Sequence, residues 1–90
     1  MPTQEEQLVT AGDEAEAVLS APAFNSVVNE LVETTFRAFV NTEPHESEKR
    51  EQAYNHYRGL VDVVNTLKQR VEVRNGIQAQ GDTSQEELGL

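Results

Sequence analysis

The sequence predicts an all-α protein, and three observations carry that prediction. Phe24, Val27, Val28, Leu31, Val32, Thr35, Phe36 and Phe39 recur at helical spacing. Ala53, Tyr57, Leu60, Val64, Leu67 and Val71 alternate steps of four and three, the heptad pattern that packs knobs into holes. Between the two stretches lies a short segment broken by Pro44. The expected architecture is an antiparallel two-helix hairpin with a short preceding N-terminal helix, assembled into a helical oligomer. It divides into an acidic flexible arm over residues 1–12, a hairpin domain over 13–76 and a flexible acidic tail over 77–90.

The arm is polar, contains Gly12, and carries Leu8 and Val9, which could dock on a neighbour. Residues 13–20 read as a short helix. Asp13 suits its N-cap, Glu14 and Glu16 suit the positive end of the dipole, and Ala15, Val18 and Leu19 share a face. The first long helix covers 22–41. Pro22 stands in its first turn, where a missing N–H costs nothing, and Ser20 or Ala21 caps it. Its apolar stripe is wider than one partner helix needs, which predicts contact with more than one neighbour.

Pro44 disfavours helical geometry at Glu43 and ends that helix near Asn41 or Thr42. The second long helix covers 47–74, with Ser47 as cap and Glu48 and Glu51 in its first turn. A loop of a few residues makes the two helices antiparallel neighbours. Tyr54 and Val61 widen the heptad seam. Lys68, Arg70 and Arg74 gather where the helix dipole favours positive charge, and Asn75-Gly76 supplies a stop. At roughly 1.5 Å per residue this helix outruns the first one. Its overhang, from about Leu67 to Val73, needs cover from the N-terminal arm or another subunit. The tail is rich in Gln, Gly, Ser and acids, a disorder-like composition, and ends in Leu88, Gly89 and Leu90, a possible docking tip.

The 90 residues make one small domain at most, with no cysteine to cross-link it. A partner chain is the remaining route to stability. The formal charge of −9 is unevenly spread: −7 over residues 1–36, +1 over 37–76 and −3 over 77–90. Such acidity repels polyanions, so general nucleic-acid and anionic-membrane binding are not expected. No apolar run approaches the ~18 residues of a membrane span, and Met1–Gln7 lacks the basic start and apolar core of a signal peptide. The expected location is the interior of a cell.

Catalytic chemistry finds no support. There is no thiol, no serine in a glycine elbow and no glycine-rich phosphate loop. His45 and Glu48 have the spacing of a bundle metal motif reversed, and His56 has no carboxylate at the right offset. No enzyme activity, metal or cofactor is therefore expected. Tyr54, Tyr57, Arg58 and Arg74 are the candidate ligand contacts, since rings and guanidinium groups can hold a nucleobase or a phosphate. Packing is favoured over ligand contact there, because Tyr57 belongs to the seam. The candidate oligomer or partner interface comprises Phe24, Val28, Leu31, Phe36, Phe39, Tyr57, Leu60, Val64, Leu67 and Val71. Gly59, one step from the seam, costs about 1 kcal/mol relative to alanine; close approach of another helix, a ligand lying flat or a tolerated defect would each account for it, and close packing is favoured.

The stretch from Ala15 to Gly76 resembles short, largely uncharacterised helical-hairpin proteins of tailed bacteriophages. The shared pattern runs through Ala15, Val18 and Leu19 to Pro22 and Phe24, then an aromatic at Phe36 or Phe39. Thr42 in the turn, Arg50-Glu51, Tyr54, the aliphatic seam and Gly76 follow. Where related sequences often carry tryptophan, this chain has Phe39 and Tyr54. The resemblance implies a viral protein in the host cytoplasm or the virion, and a hairpin with no catalytic residues. Its partners would be itself and other phage or host proteins. The expected role is a structural or assembly component of the virion. The alternative is a small anti-defence protein that sequesters a signalling nucleotide between subunits or blocks a host protein.

Overall fold

The computed structural model describes residues 1–87, with side chains described to residue 80. Three helices follow one another: α1 (Gln4–Ser20), α2 (Pro22–Val40) and α3 (Ser47–Glu87). No strand occurs among the described residues. The all-α class is as expected, but the lengths of α1 and α3 are not. The chain falls into two units. One joins residues 1–19 to α3 from Thr66 onward, and the other comprises Ser20–Asn65.

The first unit corrects the expectation of a loose arm over residues 1–12. Helix α1 starts nine residues before Asp13, at Gln4. Thr3 is its N-cap: its hydroxyl accepts the Glu6 N–H at 3.1 Å and its carbonyl accepts the Gln7 N–H at 3.0 Å. Glu5 and Glu6 add negative charge at the positive dipole end. Leu8, Gly12, Ala15 and Leu19 then form a seam with steps of four, three and four. Gly12 and Ala15 are the buried members, Ala15 at 2% exposure. The second half of α3 supplies the facing surface, with Leu67 and Val71 half-buried and Arg74 buried. The overhanging end of α3 is thus covered by α1, as a helix rather than a loose arm.

Asn75-Gly76 does not end α3, which runs on to Glu87. The expected boundary at Arg74 and the flexible tail from residue 77 are corrected as far as Glu87; Leu88, Gly89 and Leu90 lie outside the described residues. A glycine costs an established helix only about 1 kcal/mol, whereas adding residues to a helix already nucleated is cheap. Half-buried Ile77 continues the apolar side past Gly76. Lys68, Arg70 and Arg74 consequently lie mid-helix, and no basic residue stands in the last turn.

The second unit contains α2, the turn and the first part of α3. A single residue, Ala21, separates α1 from α2. It is the N-cap in extended conformation (φ −74°, ψ 121°), with Pro22 following. Fixed φ at Pro22 and the backbone bond from Asn25 N–H to the Ala21 carbonyl (3.1 Å) start α2 without a side-chain cap. Its C-terminus is closed by Asn41 N–H donating to Arg37 O and Thr42 donating to Phe39 O through both N–H (3.3 Å) and hydroxyl (2.8 Å). Glu46, rather than Ser47, is the residue whose carbonyl accepts the first α3 bond, from Arg50 N–H at 3.2 Å.

Arg50 locks this turn. Its guanidinium donates to the carbonyls of Glu43 (2.7 Å) and Pro44 (3.1 Å). The Glu43 carbonyl also accepts the Glu46 N–H at 2.9 Å, so Arg50 adds a second donor there and supplies one to the Pro44 carbonyl. Arg50→Ala is expected to cost about 1–2 kcal/mol, the value of charge-assisted bonds discounted for exposure. Arg50→Lys should recover only part, since an ammonium lacks the planar fork. Urea denaturation of the two variants checks this; equal stability of wild type and Arg50→Ala would refute the lock.

Gly59 and Gly76 have open space where a Cβ would stand. Among the described residues no atom lies within 4 Å of a Cβ added at Gly59, in place of the close packing expected there. Both positions should therefore accept alanine. Gly59→Ala and Gly76→Ala are each expected to stabilise by up to about 1 kcal/mol through helix propensity and reduced unfolded-state entropy. Thermal unfolding followed by circular dichroism reads this as a rise of several degrees.

Candidate functional site: an uncovered apolar face

In the second unit, Val32, Thr35, Phe36 and Phe39 of α2 line a cleft together with Ala53, Tyr54 and Tyr57 of α3. Its volume is about 400 Å³. Both helices reach it through their apolar stripes. At about 100° per residue, the α2 stripe spans more than half the circumference of the helix. Phe24, Val28, Val32 and Thr35 form its half-buried middle. Val27 and Leu31 on one flank, and Phe36 and Val40 on the other, stay exposed, as does Phe39. Helix α2 has no buried residue at all.

This exposure is far from ordinary for a folded chain. Among the described residues the only buried apolar side chains are Ala15 and Ala53, and no side chain is fully buried. Phe36 is 64% exposed and Val27 53%. Scattered apolar residues on a surface need no explanation, but a helix that offers a stripe of them with nothing over it does.

The sequence-predicted interface residues divide between the two units. Phe24, Val28, Leu31, Phe36, Phe39, Tyr57, Leu60 and Val64 lie in the second. Of these, Phe24, Val28, Leu60 and Val64 are half-buried, whereas Leu31, Phe36, Phe39 and Tyr57 are exposed. Leu67 and Val71 are half-buried in the first.

The candidate ligand contacts are not brought together. Tyr54 and Tyr57 share the cleft. Arg58 pairs with Asp62 at 3.7 Å on exposed surface. Arg74 belongs to the other unit, where it is 8% exposed and bonded to Asp13 (2.9 Å), Glu16 (2.8 Å) and the Asn75 side-chain oxygen (3.0 Å). No cation lines the cleft.

Sequence reasoning missed the role of Arg74. Three residues beyond Val71, it continues the heptad count, so it occupies a seam position facing α1. The guanidinium–carboxylate contacts raise the pKa of Arg74, through the Glu16 hydrogen bond first and the Asp13 hydrogen bond second. The hydrogen bond from Arg74, followed by its charge, lowers that of Glu16. In the turn, the hydrogen bond from Lys49 and then the Glu43 N–H hold Glu46 below the ordinary carboxylate value.

The chain matches no protein-family model, no curated protein and no solved structure. No helix among the described residues is long and apolar enough to cross a membrane.

Proposed function

We propose that the protein is a non-enzymatic binding component that works in association with other copies of itself, as a structural or assembly part of a tailed-phage particle. In this reading α2 and the first part of α3 form an antiparallel hairpin whose core is completed by neighbouring chains. The observation that carries it is the uncovered apolar face of α2, with Val27, Leu31, Phe36, Phe39 and Val40 all exposed. A small chain with so little internal burial gains most by burying that face against a partner. The phage assignment rests on the resemblance between Ala15 and Gly76.

Native mass spectrometry of the purified protein, before and after denaturation, tests the reading. An oligomer of clean mass at micromolar concentration is expected, and it should bind purified head or neck proteins of a tailed phage. A monomer with no affinity for such proteins would sink the proposal.

The alternative is an anti-defence protein that sequesters a nucleotide or blocks a host protein. Tyr54 and Tyr57 in a common cleft support its nucleotide form. Against it, Arg74 is buried and engaged by Asp13 and Glu16, and no cation lines the cleft. A bound mass released on unfolding would favour this alternative.

A further inference from the structure

We infer that the Phe36 flank of α2, with its cleft, is a two-fold interface that receives Phe36 of a second copy of this chain. The inference rests on the self-association proposed above and specifies which side of α2 carries it. The two flanks of α2 are unequal. One offers Val27 and Leu31. The other offers Phe36 and Val40 beside Phe39, Tyr54 and Tyr57, all exposed.

At about 200 Å² per ring, the exposed fractions of these four aromatics leave about 400 Å² of aromatic surface in water. That is about half of what one partner contributes to a standard interface, and the surrounding residues can supply the remainder. The Val27 flank has no aromatic anchor of the kind that dominates interface energetics.

The same face carries both a projection and a receptacle. Phe36 is the most exposed of these rings and forms one wall of the cleft of about 400 Å³, so its outward face projects at the rim of the cleft. A cavity of about 150 Å³ accommodates benzene, so a phenyl group fits with room to spare. A surface with a knob next to its own hole is self-complementary under a two-fold axis, which places each Phe36 in the other copy's cleft.

Charge also favours this side. The net −9 would oppose contact between copies through α1, whose five acids (Glu5, Glu6, Asp13, Glu14, Glu16) outnumber the single guanidinium, Arg74, that pairs with Asp13 and Glu16. The charges adjoining Phe36 and Tyr57 in sequence are matched locally: Glu33 with Arg37 at 2.8 Å, and Arg58 with Asp62 at 3.7 Å.

Sedimentation velocity of the full chain over a concentration series tests the inference. Phe36→Glu should raise the dissociation constant on the order of a thousandfold, because two-fold symmetry counts each lost anchor twice. Val27→Glu, about 180° away on the same helix, should change it only a few-fold. Circular dichroism should show equal helix content in both variants.

A third variant avoids the folding question. The chain has no cysteine, so a single Val40→Cys on this flank can carry a thiol-reactive fluorophore, whose emission should shift on association if the flank is buried. Loss of association in Val27→Glu but not Phe36→Glu would overturn the interface while leaving self-association intact. A monomeric wild type at every concentration would overturn both.

Discussion

Replacing Gly12 by valine is expected to cost about 3 kcal/mol, and by alanine about 1–2 kcal/mol, with α1 losing its seat on α3. A Cβ built on Gly12 would collide with the Cβ of Arg74 and lie 2.9 Å from the Arg70 carbonyl oxygen and 3.1 Å from Arg74 Cδ. Two of these three atoms cannot swing away: one is backbone, and the other is the first atom of its side chain. Relief requires the helices to part, and parting them uncovers Ala15 and loosens the contacts of Arg74.

The sign of the alanine result is diagnostic. On an open helix face alanine gains up to about 1 kcal/mol over glycine. At Gly12 overpacking, worth about 1–3 kcal/mol, opposes that gain and outweighs it. Gly59→Ala and Gly76→Ala provide matched controls, since neither position has an atom within 4 Å of the added carbon. Urea midpoints at fixed protein concentration are the readout, because association shifts apparent stability. If Gly12→Ala stabilises as much as Gly59→Ala does, α1 does not pack on α3 through this glycine.

Gly12 also shows where the sequence was legible and where it was not. Strong local signals placed α2 within a residue at its C-terminal end: Pro22 opens it and Pro44 forbids its continuation. Ala53, Leu60, Val64, Leu67 and Val71 share a covered side of α3 that the four-three spacing traces, whereas Tyr57 in the same count is exposed. The fold class followed from those two stretches. Elsewhere one residue type serves opposite purposes. Glycine breaks a loop-like segment, but it also permits the closest helix approach, and only the facing residue decides. Read as part of an arm, Gly12 concealed the Leu8, Gly12, Ala15, Leu19 seam. Thr3-x-x-Glu6, a capping pattern, pointed to the true start of α1.

The opposite error occurred at Asn75-Gly76, where local stop chemistry was overridden by a helix already under way. Arg74 was assigned to a dipole because a charged residue does not register in an apolar count. Its position three after Val71 carried the missing signal. The uneven cover of α2 was foreshadowed by the width of its stripe, but which flank stays in water depends on where α3 lies against it. That is a tertiary fact with no local marker.

Removing both carboxylates that face Arg74 is expected to release α1 more fully than removing either one. Asp13 and Glu16 are 61% and 57% exposed in their side chains, whereas the Arg74 side chain is 10% exposed. Each acid alone is therefore screened by water and modest in effect. Asp13→Asn leaves Glu16 in place, and Glu16→Gln leaves Asp13. The double variant strands a buried guanidinium with the Asn75 side-chain oxygen as its remaining partner among the described residues, and an unpaired buried charge is what a helix contact tolerates least.

Amide hydrogen exchange over Val9–Leu19 reads the result. Protection should fall slightly in each single variant and approach that of an unpacked helix in the double one. Arg74→Met separates charge from shape: it fills the seam with no charge left to pair, and should retain much of the protection that the double variant loses. Acid should act in the same direction. The folded-state pKa of Glu16 is lowered, so its contribution is complete above its ordinary value of 4.5 and disappears as pH falls through the lower folded value. Protection of α1 in the wild type should therefore decline below about pH 4.5, and Glu16→Gln should flatten part of that decline. If the double variant protects α1 as well as the wild type does, the ion pairs are incidental, and the Gly12 contact alone seats α1.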